Sequence, residues 1–119
     1  MRAGQTYGPM PATVLDVYDG DTFHVRIDLG VGLDIELAFR LDGIAHDVNA
    51  PEIRGDEKPA GEAARNYLLG IMPVGSAVMV RSKSWDKYGG RFDGIVTLPS
   101  GQDLAEAMVQ AGHAVWIDY

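Results

Sequence analysis

The sequence predicts an α+β domain: a five-stranded, OB-like Greek-key β-barrel carrying two to three α-helices. Three observations lead there. Short segments alternate apolar and polar residues with the period of half-buried strands. Asp–Gly and glycine-rich turn signals separate those segments. Helical apolar patterns follow the third and the fifth of them, so the order reads β-β-β-α-β-β-α.

With 119 residues the expectation is one domain, residues 1–119, with residues 1–11 as an N-terminal extension. The β pattern starts at Ala12. After the Asp19–Gly20 turn, "DTFHVRIDL" places Phe23, Val25, Ile27 and Leu29 on one face and His24, Arg26 and Asp28 on the other. Gly30 and Gly32 bracket the next turn. "LDIELAFRL" alternates again, with Leu33, Ile35, Leu37, Phe39 and Leu41 on the apolar face and Arg40 opposite them, beside Asp34 and Glu36. These strands read as a meander with one buried face. Ala60, Ala63, Ala64, Tyr67, Leu68, Ile71 and Met72 recur at helical spacing until Pro73 stops them. Two further strands, "SAVMVRSKS" and "RFDGIVTL", flank a Gly–Gly turn. The last helix opens at Asp103, with Glu106 completing a capping box and Gly112 as the C-terminal cap.

Composition narrows the function. A hydrophobic content of 46% supports a real core, and the absence of cysteine excludes disulfides, thiolate nucleophiles and Cys-ligated zinc. No apolar run is long enough to cross a bilayer, and the first five residues lack the apolar core of a signal peptide. The expectation is a cytoplasmic monomer, or a domain cut from something longer. The net charge of −7 argues against a tight, non-specific nucleic-acid binder. Its distribution is uneven, however. Arg81, Lys83, Lys87 and Arg91 cluster against Asp86 alone, whereas eleven acidic residues between Asp16 and Glu57 face only Arg26, Arg40 and Arg54. One segment suits a polyanion and another suits metal ions, although solvated strand faces would give the same pattern.

Candidate chemistry follows from the same residues. Asp19 and Asp21 flank Gly20 at a turn, and Glu52 follows Pro51 in a non-helical loop. Oxygen ligands from separate loops are what a hard divalent cation takes, though Asp–Gly–Asp–Thr read alone is also an ordinary turn. Arg40 and Arg91 suit a phosphodiester, whose transition state spreads charge over its equatorial oxygens. A cross-strand pair with Asp34 or Glu36 would equally account for Arg40. Tyr88 is placed to stack on a base. The histidines and serines show no ligand or triad spacing.

Taken in order, "DGDT" at residues 19–22, "RLDGIAHDVNAPE" at 40–52 and "DKYGGRFDGIV" at 86–96 resemble the staphylococcal-nuclease-like (thermonuclease, micrococcal nuclease) family. The resemblance spans nearly the whole chain from about residue 12. It implies an SNase-like OB barrel bearing a Ca²⁺-dependent phosphodiesterase site that hydrolyses DNA or RNA to 3′-phosphates. By position, Asp21 matches a calcium ligand. Glu52 matches the residue that positions or deprotonates water, and it lies at the metal. Arg40 and Arg91 match the phosphate-binding arginines, Lys87 and Tyr88 contact the nucleotide, and Ala50 offers a backbone carbonyl to the metal.

The chain departs from the family pattern in four places. Asn49 stands where a second metal-binding aspartate is usual; its amide is an oxygen ligand without charge. About three extra residues between Ile44 and Val48 bring in His46 and Asp47. Asp47 is the candidate to restore the missing negative charge, and Asp19 is a further candidate metal ligand. "YGGR" carries one more glycine than the pattern, and Asp93 replaces an aliphatic residue. The alternative reading is a catalytically weak or inactive module that binds nucleic acid or peptide through the barrel surface. A structural or interaction domain of unrelated function is the third.

Overall fold

The computed structural model describes residues 7–44, 47–85 and 91–117. Its elements are β1 (Tyr7–Asp19), β2 (Thr22–Gly30), β3 (Leu33–Leu41), β4 (Asp47–Asn49), a 3-10 turn (Gly55–Glu57), α1 (Lys58–Ile71), β5 (Ala77–Trp85), β6 (Arg91–Thr97), α2 (Leu104–Gln110) and β7 (Val115–Ile117). Five strands close into a barrel in the order β1-β2-β3-β6-β5, as the alternation predicts. Its neighbours are antiparallel except β3 and β6, which run parallel. That single parallel contact seats Ala38 beside Arg91 and Arg40 beside Asp93.

β1 is longer than the sequence suggests. Residues 7–11, expected as an extension outside the barrel, pair with β5 through Tyr7–Ser82, Met10–Val80 and Pro11–Met79. Pro9 and Pro11 hide this stretch from a periodicity reading, because proline interrupts the strand signal. The second half of β1 pairs with β2, with Ala12 common to both partners. One long strand thus turns the corner that closes the sheet.

Alternation places the core correctly in the barrel and fails beyond it. Phe23, Val25, Phe39 and Leu41 are fully buried, and the rings of Phe23 and Phe39 stack with centroids 5.4 Å apart. Leu29, Leu33 and Ile35, expected on the same buried face, are exposed, Leu33 at 60%. Pairing of β1 with β2 ends at Ile27, and pairing of β6 with β3 begins at Ala38. Between those points no third strand among the described residues pairs with the hairpin, although Leu37 still packs against the core.

Both helices cover the barrel. Pro59 sits in the first turn of α1, where its missing N–H costs nothing. Leu68 and Met72 are fully buried, and Pro73 follows directly. Asp103 caps α2 by accepting the Glu106 N–H at 3.1 Å. Glu106 completes no reciprocal bond; its carboxylate accepts from Gln110 Nε2 at 3.0 Å, so only half of the expected capping box forms. Leu104 and Met108 close the core from this side, and Gly112 ends the helix in a left-handed conformation. The described residues hold two α-helices, the lower of the two numbers expected.

A second, two-stranded sheet was not anticipated. β4 pairs antiparallel with β7, Val48 opposite Trp116 and Asn49 opposite Val115. The C-terminal segment therefore fixes the loop that carries Asn49.

Candidate active site

The site begins at the β1–β2 turn. Asp19 Oδ1 accepts the Asp21 N–H at 3.1 Å, an Asx-type turn that a short carboxylate closes on its own backbone. Asp21 accepts from Thr22 Oγ1 at 3.1 Å through Oδ1 and from the Ala50 N–H at 3.0 Å through Oδ2. Its carbonyl accepts the Leu41 N–H at 2.7 Å. One residue thereby ties the turn to β3 and to the loop after β4. Gly20 makes the approach possible: a Cβ there would lie 2.9 Å from the Cβ atoms of both Ala50 and Ala64.

The loop rests in turn on α1. Gly61 is buried, and a Cβ on it would collide with the backbone carbonyl of Glu52. A bare helix surface at this point lets the Glu52 loop lie directly on the helix. Two glycines thus set the height of the turn and of the loop relative to each other.

The residues converge on one cleft of about 430 Å³. Asp19, Asp21, Arg40, Asn49, Ala50, Glu52 and Arg91, all predicted, line it together with Tyr18, Thr22, Ile53 and Arg54. Asp19 and Asp21 are only 7% and 6% exposed. Burial, and next the adjacent Asp21 carboxylate, push the Asp19 pKa up to about 6. Among the described residues no lysine or arginine lies within ion-pair distance of either carboxylate, and none of Asp or Glu lies that close to Arg40. Arg91 Nε is 3.9 Å from Asp93 Oδ1. Glu52 Oε2 accepts from Arg54 Nε at 2.6 Å, which raises the arginine's pKa further; both side chains are well exposed.

Asp47 is placed elsewhere. It does not line the cleft. Its Oδ1 lies 3.8 Å from Lys83 Nζ, which is equally 3.8 Å from Asp42 Oδ2 and donates to the Gly43 carbonyl at 2.9 Å. Asp47 and Asn49 share a strand face, but the Asp47 carboxylate is drawn to the lysine. It does not supply the charge that Asn49 lacks. Lys87, Tyr88 and His46 lie outside the described residues.

Several cleft residues escaped the sequence reading. Tyr18 precedes the acidic turn directly, and Arg54 lies two positions after Glu52, so proximity in sequence to the motifs was an available signal for both. Nothing in sequence pointed to Gly61.

As a donor set the cleft supplies oxygens only: two buried carboxylates, Glu52 at the rim, the Asn49 amide and backbone carbonyls. Among the described residues no three His, Cys, Asp or Glu side chains form a metal-binding group. A cation there would rest on the Asp19–Asp21 pair and on neutral oxygens and water. That arrangement fits a hard ion better than zinc.

A family model described as staphylococcal nuclease homologue matches residues 43–119, more than half of the chain. The chain belongs to that family. Staphylococcal nuclease homologues are nuclease-related, nucleic-acid-binding proteins. The match includes Asn49, Ala50, Glu52 and Arg91 and begins after Asp19, Asp21 and Arg40. Those three reach the cleft through the barrel: β2 pairs Thr22 with Arg40, and β6 lies on the far side of Arg40. No curated protein matches the chain. No helix among the described residues is long and apolar enough to cross a membrane.

Proposed function

We propose that the chain is a Ca²⁺-dependent nuclease that hydrolyses phosphodiester bonds in DNA or RNA, leaving 3′-phosphate and 5′-hydroxyl ends. One observation carries this reading: a single cleft collects Asp19, Asp21 and Glu52 together with Arg40 and Arg91 from adjacent strands. Anionic and cationic groups that line one cleft suit a metal and a phosphate held together.

In this reading Asp19, Asp21, the Asn49 amide and the Ala50 carbonyl hold the ion, with Glu52 near it. Bound Ca²⁺ would supply positive charge beside the phosphate oxygens. Arg40 and Arg91 hold the phosphate and gain strength as its equatorial oxygens take on charge. Glu52 orients a water molecule and accepts its proton as the new O–P bond forms. The bond from phosphorus to the 5′-oxygen breaks, and that oxygen takes a proton from solvent. Lys87 and Tyr88 are proposed to contact the nucleotide.

The ion pair between Glu52 and Arg54 favours a second reading. A base already engaged by a neighbouring guanidinium, in a site with neutral Asn49, suits a module that binds nucleic acid or peptide with little or no cleavage. Incubation with single-stranded DNA, duplex DNA and RNA, in Ca²⁺ or in chelator, decides between them. Metal-dependent cleavage that disappears in Glu52→Gln and Arg40→Ala supports the enzyme. Binding without cleavage, indifferent to metal, supports the module.

A further inference from the structure

Arg40 and Arg91, two of the arginines that line the cleft, stand on neighbouring parallel strands. Arg40 is in register with Asp93, and Arg91 precedes Asp93 by two residues on the same strand. With a period of two, all three side chains leave the barrel on its outer face, while Phe39 between them is fully buried. The Asp93 carboxylate therefore shares this face with both arginines, and its ion pair is with Arg91. Asp93 is about three-quarters buried, which keeps its charge effective over such a distance. Its Oδ1 lies 3.9 Å from Arg91 Nε, longer than a hydrogen bond. At that distance it directs the guanidinium electrostatically.

We infer that Asp93 is a positioning residue for Arg91: it holds the Arg91 guanidinium over the cleft, next to the strand that carries Arg40. This rests on the nuclease reading for what the pair does, not for the arrangement itself. A long arginine side chain loses much rotamer freedom when fixed, and a neighbouring carboxylate lowers that cost before substrate arrives. The same carboxylate weakens ground-state attraction for a polyanion. Its removal therefore changes binding and turnover in opposite directions, which a loss of folded protein does not do.

The test uses Asp93→Asn and Asp93→Glu in the full chain, with thermal unfolding as the check on folding. In chelator, a fluorescent single-stranded DNA oligonucleotide reports binding. Asp93→Asn should bind it about threefold more tightly, as one unit of negative charge leaves the phosphate path. In Ca²⁺, kcat on the same oligonucleotide should fall about tenfold while KM stays level or falls, since misplacing a charged clamp costs turnover. Asp93→Glu should recover most of both. If wild type cleaves and Asp93→Asn matches it in kcat and affinity, the inference is overturned. If wild type does not cleave at all, the nuclease reading fails; the chelator comparison still decides Asp93, since unchanged affinity overturns it and tightened affinity reversed by Asp93→Glu sustains it.

Discussion

Two acidic clusters lie close together in this protein and are completed in different ways. In the cleft, Asp19 and Asp21 are buried side by side with no lysine or arginine at ion-pair distance among the described residues. Behind it, Asp42 and Asp47 share Lys83, each oxygen 3.8 Å from its Nζ. One pair has its cation supplied by the chain. The other is held by backbone N–H groups and a hydroxyl, none of which carries charge. The contrast teaches that the second cluster is balanced from within the fold, whereas the first is the one that the proposed function gives to a cation.

The largest expected effect falls on the cleft. Arg40→Ala and Glu52→Gln should each lower the rate of Ca²⁺-dependent cleavage by on the order of 10²-fold or more while leaving circular dichroism unchanged, because in the proposed reading each removes a group that acts in the transition state. Initial rates on single-stranded DNA check this. A residual rate within a few-fold of wild type would remove the cleft from the account.

Lys83→Met breaks the second cluster. It leaves Asp42, 5% exposed, without its ammonium, and should cost roughly 2–3 kcal/mol in urea unfolding. Gly61→Val probes the support of the cleft. The added side chain meets the Glu52 backbone, so stability should fall by roughly 1–3 kcal/mol and cleavage should fall with it.

The clusters also differ in how pH reads them. Burial first, and then Asp47, push the Asp42 pKa up to about 7, despite the opposing pull of Lys83. The folded state holds this proton more tightly than the unfolded chain, whose aspartate titrates near 4. The stability it contributes is complete below about pH 4 and is lost as pH rises through 7. Asp42→Asn should flatten that slope, measured by urea unfolding at pH 5 and pH 8. An equal slope in the variant would mean that other groups carry it. The smallest effect is expected far from both clusters: Arg26→Ala removes an exposed cross-strand pair with Glu36 and should cost less than about 1 kcal/mol.

What the sequence disclosed follows the range of its signals. Alternation is local, so the barrel strands and the inward faces of Phe23, Val25, Phe39 and Leu41 were legible. The same rule misassigned Leu33 and Ile35, because it reports a face without reporting where the barrel ends. Order and spacing of three motifs anticipated the convergence of Asp21, Arg40, Asn49, Glu52 and Arg91. The pairing of β4 with β7 was hidden, since three-residue strands 68 positions apart carry little pattern of their own. Asp47 shows the same limit. Its strand face was predictable, but the claim of Lys83 on its carboxylate depends on β5, which only the fold brings near.

Asn49 sharpens the comparison further. It lines the cleft with Asp19, Asp21 and Glu52, so Asn49→Asp adds one more carboxylate and should tighten Ca²⁺ binding about tenfold. The most direct measurement is calorimetric titration of Ca²⁺ onto wild type, Asp21→Asn and Asp42→Asn. The prediction is one site in wild type, lost in Asp21→Asn and retained in Asp42→Asn. Heat of binding absent from wild type, or abolished by Asp42→Asn and untouched by Asp21→Asn, would contradict the assignment of the cleft as the cluster that takes its cation from solution.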